Sequence, residues 1–438
     1  MTARFVLEEQ SPASAGFSAE RLARLDAAMT GLVEGGAFAG MVTLLARRGQ
    51  VVSYKAHGKQ DLETGVPMAR DTIFRCASMT KPVTGVAMMI LYEEGKWRPE
   101  DPLHLHIPEF RDLKVWSGDD EAGRPILERP RHPPTVGELM SHTAGFSYGF
   151  PPATNPVDKA YNEAGLFRAA PGGRAAAKDL REFIERLAKI PLLYQPGSRW
   201  VYSVSVDIQG YLVEKLSGQT LPAFFRERIF APLGMADSGF SLPEAKLPRL
   251  ATTYMGDAAG GKLVPQPLPG DITAEPSLPS GGGGLVSTAP DYARFAQMLV
   301  NGGMLDGARI LAPSSVRLMS ANHLGEGLLA SDGYAPARPN GLRMTDPVKT
   351  PDAFGVAFFR VRPGIGFGYD VSVIYDPERA GRTVGKGTYH WDGAYGTWFW
   401  VDPTHEVIFV GMIQRPDLQN IPNVQELTRT LVYQALEA

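Results

Sequence analysis

The chain has 438 residues, of which 44% are hydrophobic and 21% charged, and a formal net charge of −3. That balance suits a large folded protein and lacks the basic excess that nucleic acid or an anionic membrane surface selects. No apolar run approaches the ~20 residues of a membrane-spanning helix, the first ten residues do not read as a secretory leader, and the single cysteine, Cys76, fits a reducing compartment, so a cytoplasmic location is expected.

Ser18 is placed to cap a first helix, in which Leu22, Leu25, Met29 and Leu32 recur at helical spacing until Gly35-Gly36. Two short strands, 41–46 and 51–56, flank Arg47-Arg48-Gly49-Gln50 as a hairpin. A helix follows Ser78, over about 79–94; Pro82 falls in its first turn, where proline is tolerated. From about 96 to 240 the pattern is helical with Pro/Gly-rich connections. Leu180, Phe183, Ile184 and Leu187 form one apolar stripe, and Asp207 to Leu216 forms another helix closed by Gly218. The stretch 240–284 is irregular, and Thr288 to Asp291 reads as a capping box. Residues 322–352 are irregular too, and loops this long tend to serve function.

Strand patterns return at 367–375, 384–390, 397–401 and 407–413, and a helix over 426–436 ends the chain. Strands at both ends with helices between them predict an α+β fold, one antiparallel sheet closed by the two termini. The expected organisation is a single catalytic unit, with a sheet lobe from 1–95 and 241–438 and a mainly helical lobe inserted at 96–240.

Ser78 and Lys81 stand three residues apart at a helix start, so their side chains share one face. A serine hydroxyl needs an adjacent base, and a partly buried lysine can serve, while free N–H groups at the helix start can hold an oxyanion. The same spacing also fits an N-capping Ser78 beside a solvated Lys81.

Ser78-Met79-Thr80-Lys81 followed by Pro82-Val83-Thr84-Gly85 resembles the serine β-lactamase and penicillin-binding-protein superfamily. The chain is more narrowly similar to the class C β-lactamase-like esterases, the family VIII carboxylesterases. Further landmarks follow in order: Leu139 to Gly145, Trp200-Val201-Tyr202-Ser203, Pro232 to Met235, Gly284 to Ala289, and Trp391-Asp392-Gly393-Ala394. The resemblance implies a β-lactamase-like fold and a catalytic Tyr202 beside Ser78 and Lys81. It also implies an oxyanion hole from the backbone N–H groups of Ser78 and Ala394, with Gly393 allowing close approach and Trp391 as a pocket wall. His390 is expected to line the same pocket, and Asp207 to cap a helix. Val204 stands where β-lactamases carry an asparagine, and Trp391-Asp392-Gly393 replaces Lys-Thr-Gly. Both departures point to esters over β-lactams.

The expected activity is hydrolysis of small, short-chain carboxylic esters through an acyl-enzyme, without metal or organic cofactor and with weak β-lactam or amide hydrolysis as a side activity. An acyltransferase, a β-lactamase or D-amino-acid peptidase, and a non-catalytic binding protein are the alternatives; no feature of the sequence sets an oligomeric state. Gly145-Phe146-Ser147-Tyr148-Gly149 satisfies the nucleophile-elbow pattern but lacks its strand-turn-helix setting. His104 and His106 lack a third ligand at zinc spacing, and Gly281 to Gly284 reads as a flexible turn.

Overall fold

In the computed structural model of the protein, the described residues are 5–437 apart from 151–152, 154, 258–261, 269, 326–327, 329–362 and 418–422. The Ser18 hydroxyl accepts from the Arg21 N–H and starts α1 (Ala19–Glu34). The hairpin of β1 (Gly40–Arg47) and β2 (Gln50–Gly58) turns at Arg48 and Gly49, with φ of +51° and +75°. β3 (Ile73–Arg75) precedes α2 (Thr80–Glu93). Among the helices that follow are α3 (Val136–Met140), α4 (Leu180–Leu187) and α5 (Ser205–Ser217), of which α3 and α5 adjoin the site. β4 (Val286–Thr288) pairs with β3 and leads into α6 (Ala289–Val300), capped by the Thr288 side chain.

The chain returns as β5 (Ile365–Phe367), β6 (Ser372–Ile374), β7 (Thr388–Asp392), β8 (Trp398–Asp402) and β9 (Val407–Met412). α7 (Val424–Tyr433) follows. Seven strands form one sheet in the order β5-β6-β7-β8-β9-β1-β2, with every neighbouring pair antiparallel. The β1–β9 pair, Val42 opposite Met412 through Arg47 opposite Val407, joins the two ends of the chain as the strand pattern predicts.

Both faces of the sheet are covered. Val42, Leu44, Phe399, Val401 and Val410 pack with residues of α2 and α6. Met41, Leu45, Trp398, Trp400 and Phe409 pack with α1 and α7. Central strands buried on two sides read as continuous apolar runs, which is why β1 and β9 are easy to recognise.

Three expectations need correction. The strand anticipated at 367–375 is a hairpin, because Asp370 takes φ +61° and its N–H donates to the Met140 carbonyl, folding the turn onto α3. The strand anticipated at 384–390 starts only at Thr388, after Gly387 turns with φ +82°. The helical segment also contains a strand ladder, Val115–Asp119 with Pro125–Glu128. Most of the irregular stretch 322–352 lies outside the described residues. Among the described residues no helix is long and apolar enough to cross a membrane.

Candidate active site

Ser78 is not a helix cap. It lies in the 3-10 turn Ala77–Met79, directly before α2, with Ala77 at φ +44°. Neighbours hold this turn from three sides. The Cys76 N–H donates to the Leu285 carbonyl at 2.8 Å, the Thr80 hydroxyl donates to the Ala77 carbonyl at 2.7 Å, and the Tyr292 hydroxyl donates to the Met79 carbonyl at 2.8 Å. Residues Thr80 to Leu91 of α2 are all buried, so Lys81 points into protein and not into water. Its Nζ donates to Ser78 Oγ at 3.1 Å, a contact that the three-residue spacing allows.

Lys81 is 1% exposed. Its Nζ also donates to the Gly282 carbonyl at 2.6 Å. Burial pushes the ammonium down to about 8, against the opposing pull of Asp207, Asp370 and Asp392. The acceptor carbonyl is itself fixed. Asp207 Oδ1 accepts from the Gly282 N–H at 3.0 Å and from the Ser280 hydroxyl at 2.6 Å. Two sequence readings change here. Asp207 lies within the first turn of α5 and binds a distant loop, with no capping role. The Gly281–Gly284 run is packed, not loose: a Cβ at Gly281 would sit 2.6 Å from the Val206 carbonyl, and one at Gly282 would sit 2.7 Å from Asp207 Oδ2.

Tyr202 comes from the segment ahead of α5, and its hydroxyl donates to Ser78 Oγ at 2.7 Å. Burial raises its pKa, and the Asp392 and Asp207 charges add to the rise, outweighing the hydrogen bonds to Ser78 and Trp391. The phenol therefore stays protonated at neutral pH. Lys81 Nζ stands 4.7 Å from the Tyr202 ring centre and 5.4 Å from that of Tyr148. Rings of Tyr148, His142 and Trp391 lie 5.1, 5.2 and 5.7 Å from the Tyr202 ring. Val204 is buried at the N-terminus of α5 and brings no polar side chain to this cluster.

The third segment approaches Ser78 through β7. Gly393 lies so close that a Cβ there would be 2.2 Å from the Cys76 carbonyl, which also accepts from the Thr397 hydroxyl at 3.0 Å. Only glycine fits that gap. Ala394 follows in an exposed turn, and its N–H has no acceptor among the described residues. Trp391 faces Tyr202 and Phe367.

His390 does not. It stands opposite Trp400 on the face covered by α7, where burial and the Arg429 and Arg382 charges push it well below the usual histidine range. Strand alternation sends neighbours to opposite faces, so His390 and Trp391 cannot line one pocket. Ser147 is likewise elsewhere: its hydroxyl donates to Asp158 Oδ1, and among the described residues it has no histidine partner. His106 pairs with Asp101, and among the described residues no group of His, Cys, Asp or Glu is arranged to hold a metal ion. A cleft of about 620 Å³ opens beside α3, lined in part by Glu138, His323 and Tyr369; Ser78 is not among its walls.

A seven-stranded antiparallel sheet beside a buried helix that opens on a serine, with lysine and tyrosine converging on that serine, defines the β-lactamase class of fold. The chain matches the beta-lactamase family over residues 25–426 and belongs to it. An uncharacterized protein of Mycobacterium tuberculosis is 37% identical over 390 residues, 88% of each chain. Esterase EstB of Burkholderia gladioli is 32% identical over 383 residues, covering 87% of this chain and 88% of EstB. Among solved structures, EstCE1, described as a hydrolase with promiscuous acyltransferase activity, is similar with a TM-score of 0.72. That match covers 94% of this chain and 99% of EstCE1 at 26% identity.

Proposed function

We propose that the protein is a cytoplasmic serine carboxylesterase that cleaves small, short-chain esters through a Ser78 acyl-enzyme. The observation that carries this reading is the convergence on Ser78 Oγ of Lys81 Nζ at 3.1 Å and the Tyr202 hydroxyl at 2.7 Å. Neutral Lys81 takes the Ser78 proton as Oγ attacks the ester carbonyl. The Ser78 and Ala394 N–H groups hold the oxyanion. Tyr202, already protonated, delivers a proton to the departing alkoxide, and the Lys81 ammonium then passes the proton it took from Ser78 to Tyr202. Water then attacks the acyl-enzyme by the reverse proton path, releasing the acid and freeing Ser78.

Val204 and Trp391 in the second and third motifs favour esters over β-lactams, and similarity to an esterase supports the same choice. Acyl transfer to an alcohol is the second reading, favoured by the described promiscuity of EstCE1. Turnover of p-nitrophenyl butyrate by wild type, Ser78→Ala and Ser147→Ala tests the main reading. Ser78→Ala should lose about 10⁴-fold or more in kcat, as removal of a catalytic nucleophile does, while Ser147→Ala keeps most activity. The reverse pattern overturns the assignment. Adding an alcohol and quantifying the new ester against free acid separates transferase from hydrolase.

A further inference from the structure

Tyr202 lies in no helix or strand, yet its hydroxyl must be held within hydrogen-bonding reach of Ser78. His142 brackets it. The His142 carbonyl accepts from the Val201 N–H at 2.9 Å, and its Nδ1 accepts from the Ser203 N–H at 3.2 Å. The His142 ring lies 5.2 Å from the ring of Tyr202. One residue thus binds the N–H groups on both sides of Tyr202 and packs against its side chain.

His142 achieves this at φ +57°, a conformation in which histidine and asparagine are among the favoured non-glycine residues. A backbone N–H can only donate, so Nδ1 is unprotonated and the ring proton sits on Nε2. Burial, and then the Lys81 charge, hold the imidazole well below its usual range and so keep that tautomer neutral. We infer that His142 is a positioning residue that fixes Tyr202 against Ser78 through both flanking N–H groups, an inference that rests on the role proposed for Tyr202.

Asparagine and glycine both tolerate this backbone conformation, but only asparagine offers an acceptor, Oδ1, in the place of Nδ1. The test compares His142→Asn, His142→Gly and Tyr202→Phe with wild type in steady-state turnover of p-nitrophenyl butyrate, each below its own melting midpoint. Small misplacements of reacting groups cost about 10²-fold, so His142→Gly should lose about 10- to 100-fold in kcat with KM changed less than about 3-fold. His142→Asn should recover to within a few-fold of wild type. Equal impairment of the Asn and Gly variants overturns the inference. So does wild-type kcat in His142→Gly beside a disabled Tyr202→Phe, which leaves the role of Tyr202 standing. Full activity in Tyr202→Phe overturns both.

Discussion

At Lys81 burial and charge pull in opposite directions, and burial prevails. Asp207, Asp370 and Asp392 favour the ammonium, yet its pKa falls from the ordinary 10.5 to about 8. Tyr202 moves the other way, so near neutral pH the amine is the group that gives up its proton more readily. The sign of the pH dependence follows. With neutral Lys81 as base, kcat/KM on p-nitrophenyl butyrate rises with pH and levels off above about 8, since that profile reports groups of the free enzyme. Lys81→Arg replaces the amine by a guanidinium that keeps its proton throughout this range, and should lose at least about 10³-fold with no recovery at alkaline pH. Activity that instead falls as pH passes 8 assigns the essential species to the ammonium, and with it the base to Tyr202.

The glycine run between Ser280 and Leu285 is the element that makes this arrangement possible. Its Gly282 carbonyl accepts from Lys81 and its Gly281 carbonyl accepts from the Thr84 hydroxyl at 2.7 Å, so the loop docks along α2. Gly282→Ala puts a methyl group 2.7 Å from Asp207 Oδ2 and 2.9 Å from the Tyr148 hydroxyl, and overpacking of this kind costs about 1–3 kcal/mol. Gly31→Ala is the matched control: on α1 nothing lies within 4 Å of the added methyl, and alanine gains about 0.5–1 kcal/mol in a helix. Thermal melts should therefore move in opposite directions, and only Gly282→Ala should lose turnover of p-nitrophenyl butyrate. These contacts also explain what the sequence conceals. Ser78 and Lys81 are legible because their spacing on a helix is local. Gly282 and His142 act largely through backbone groups brought in from far along the chain, and glycine composition alone reads as looseness. His390 misleads for another reason: a neighbour in a strand faces the opposite side of the sheet.

Across the whole molecule, closure of the sheet by the two ends is legible because strands buried on both faces concentrate apolar residues at both ends of the chain. The β5–β6 hairpin is not, since its turn is set by a contact between Asp370 and Met140 that local pattern cannot express. The same deep burial makes a prediction for the folded state as a unit. Tyr54, Tyr148, Tyr161, Tyr202, Tyr292, Tyr389 and Tyr433 all have pKa values raised by burial. In the unfolded chain these phenols ionise near the ordinary value of about 10. The stability that goes with keeping them neutral is complete below that pH and is lost as pH rises above it, because only the unfolded chain then releases the protons. Each fully affected phenol contributes a slope of up to about 1.4 kcal/mol per pH unit. Tyrosinate absorbance and far-UV circular dichroism followed together should show exposed phenols ionising first with the dichroism intact. The buried set should then ionise in the same step that abolishes the dichroism, and Tyr389→Phe should make that loss of stability shallower by one proton. A single smooth ionisation centred near 10 with the dichroism unchanged would show that these phenols reach water in the native fold.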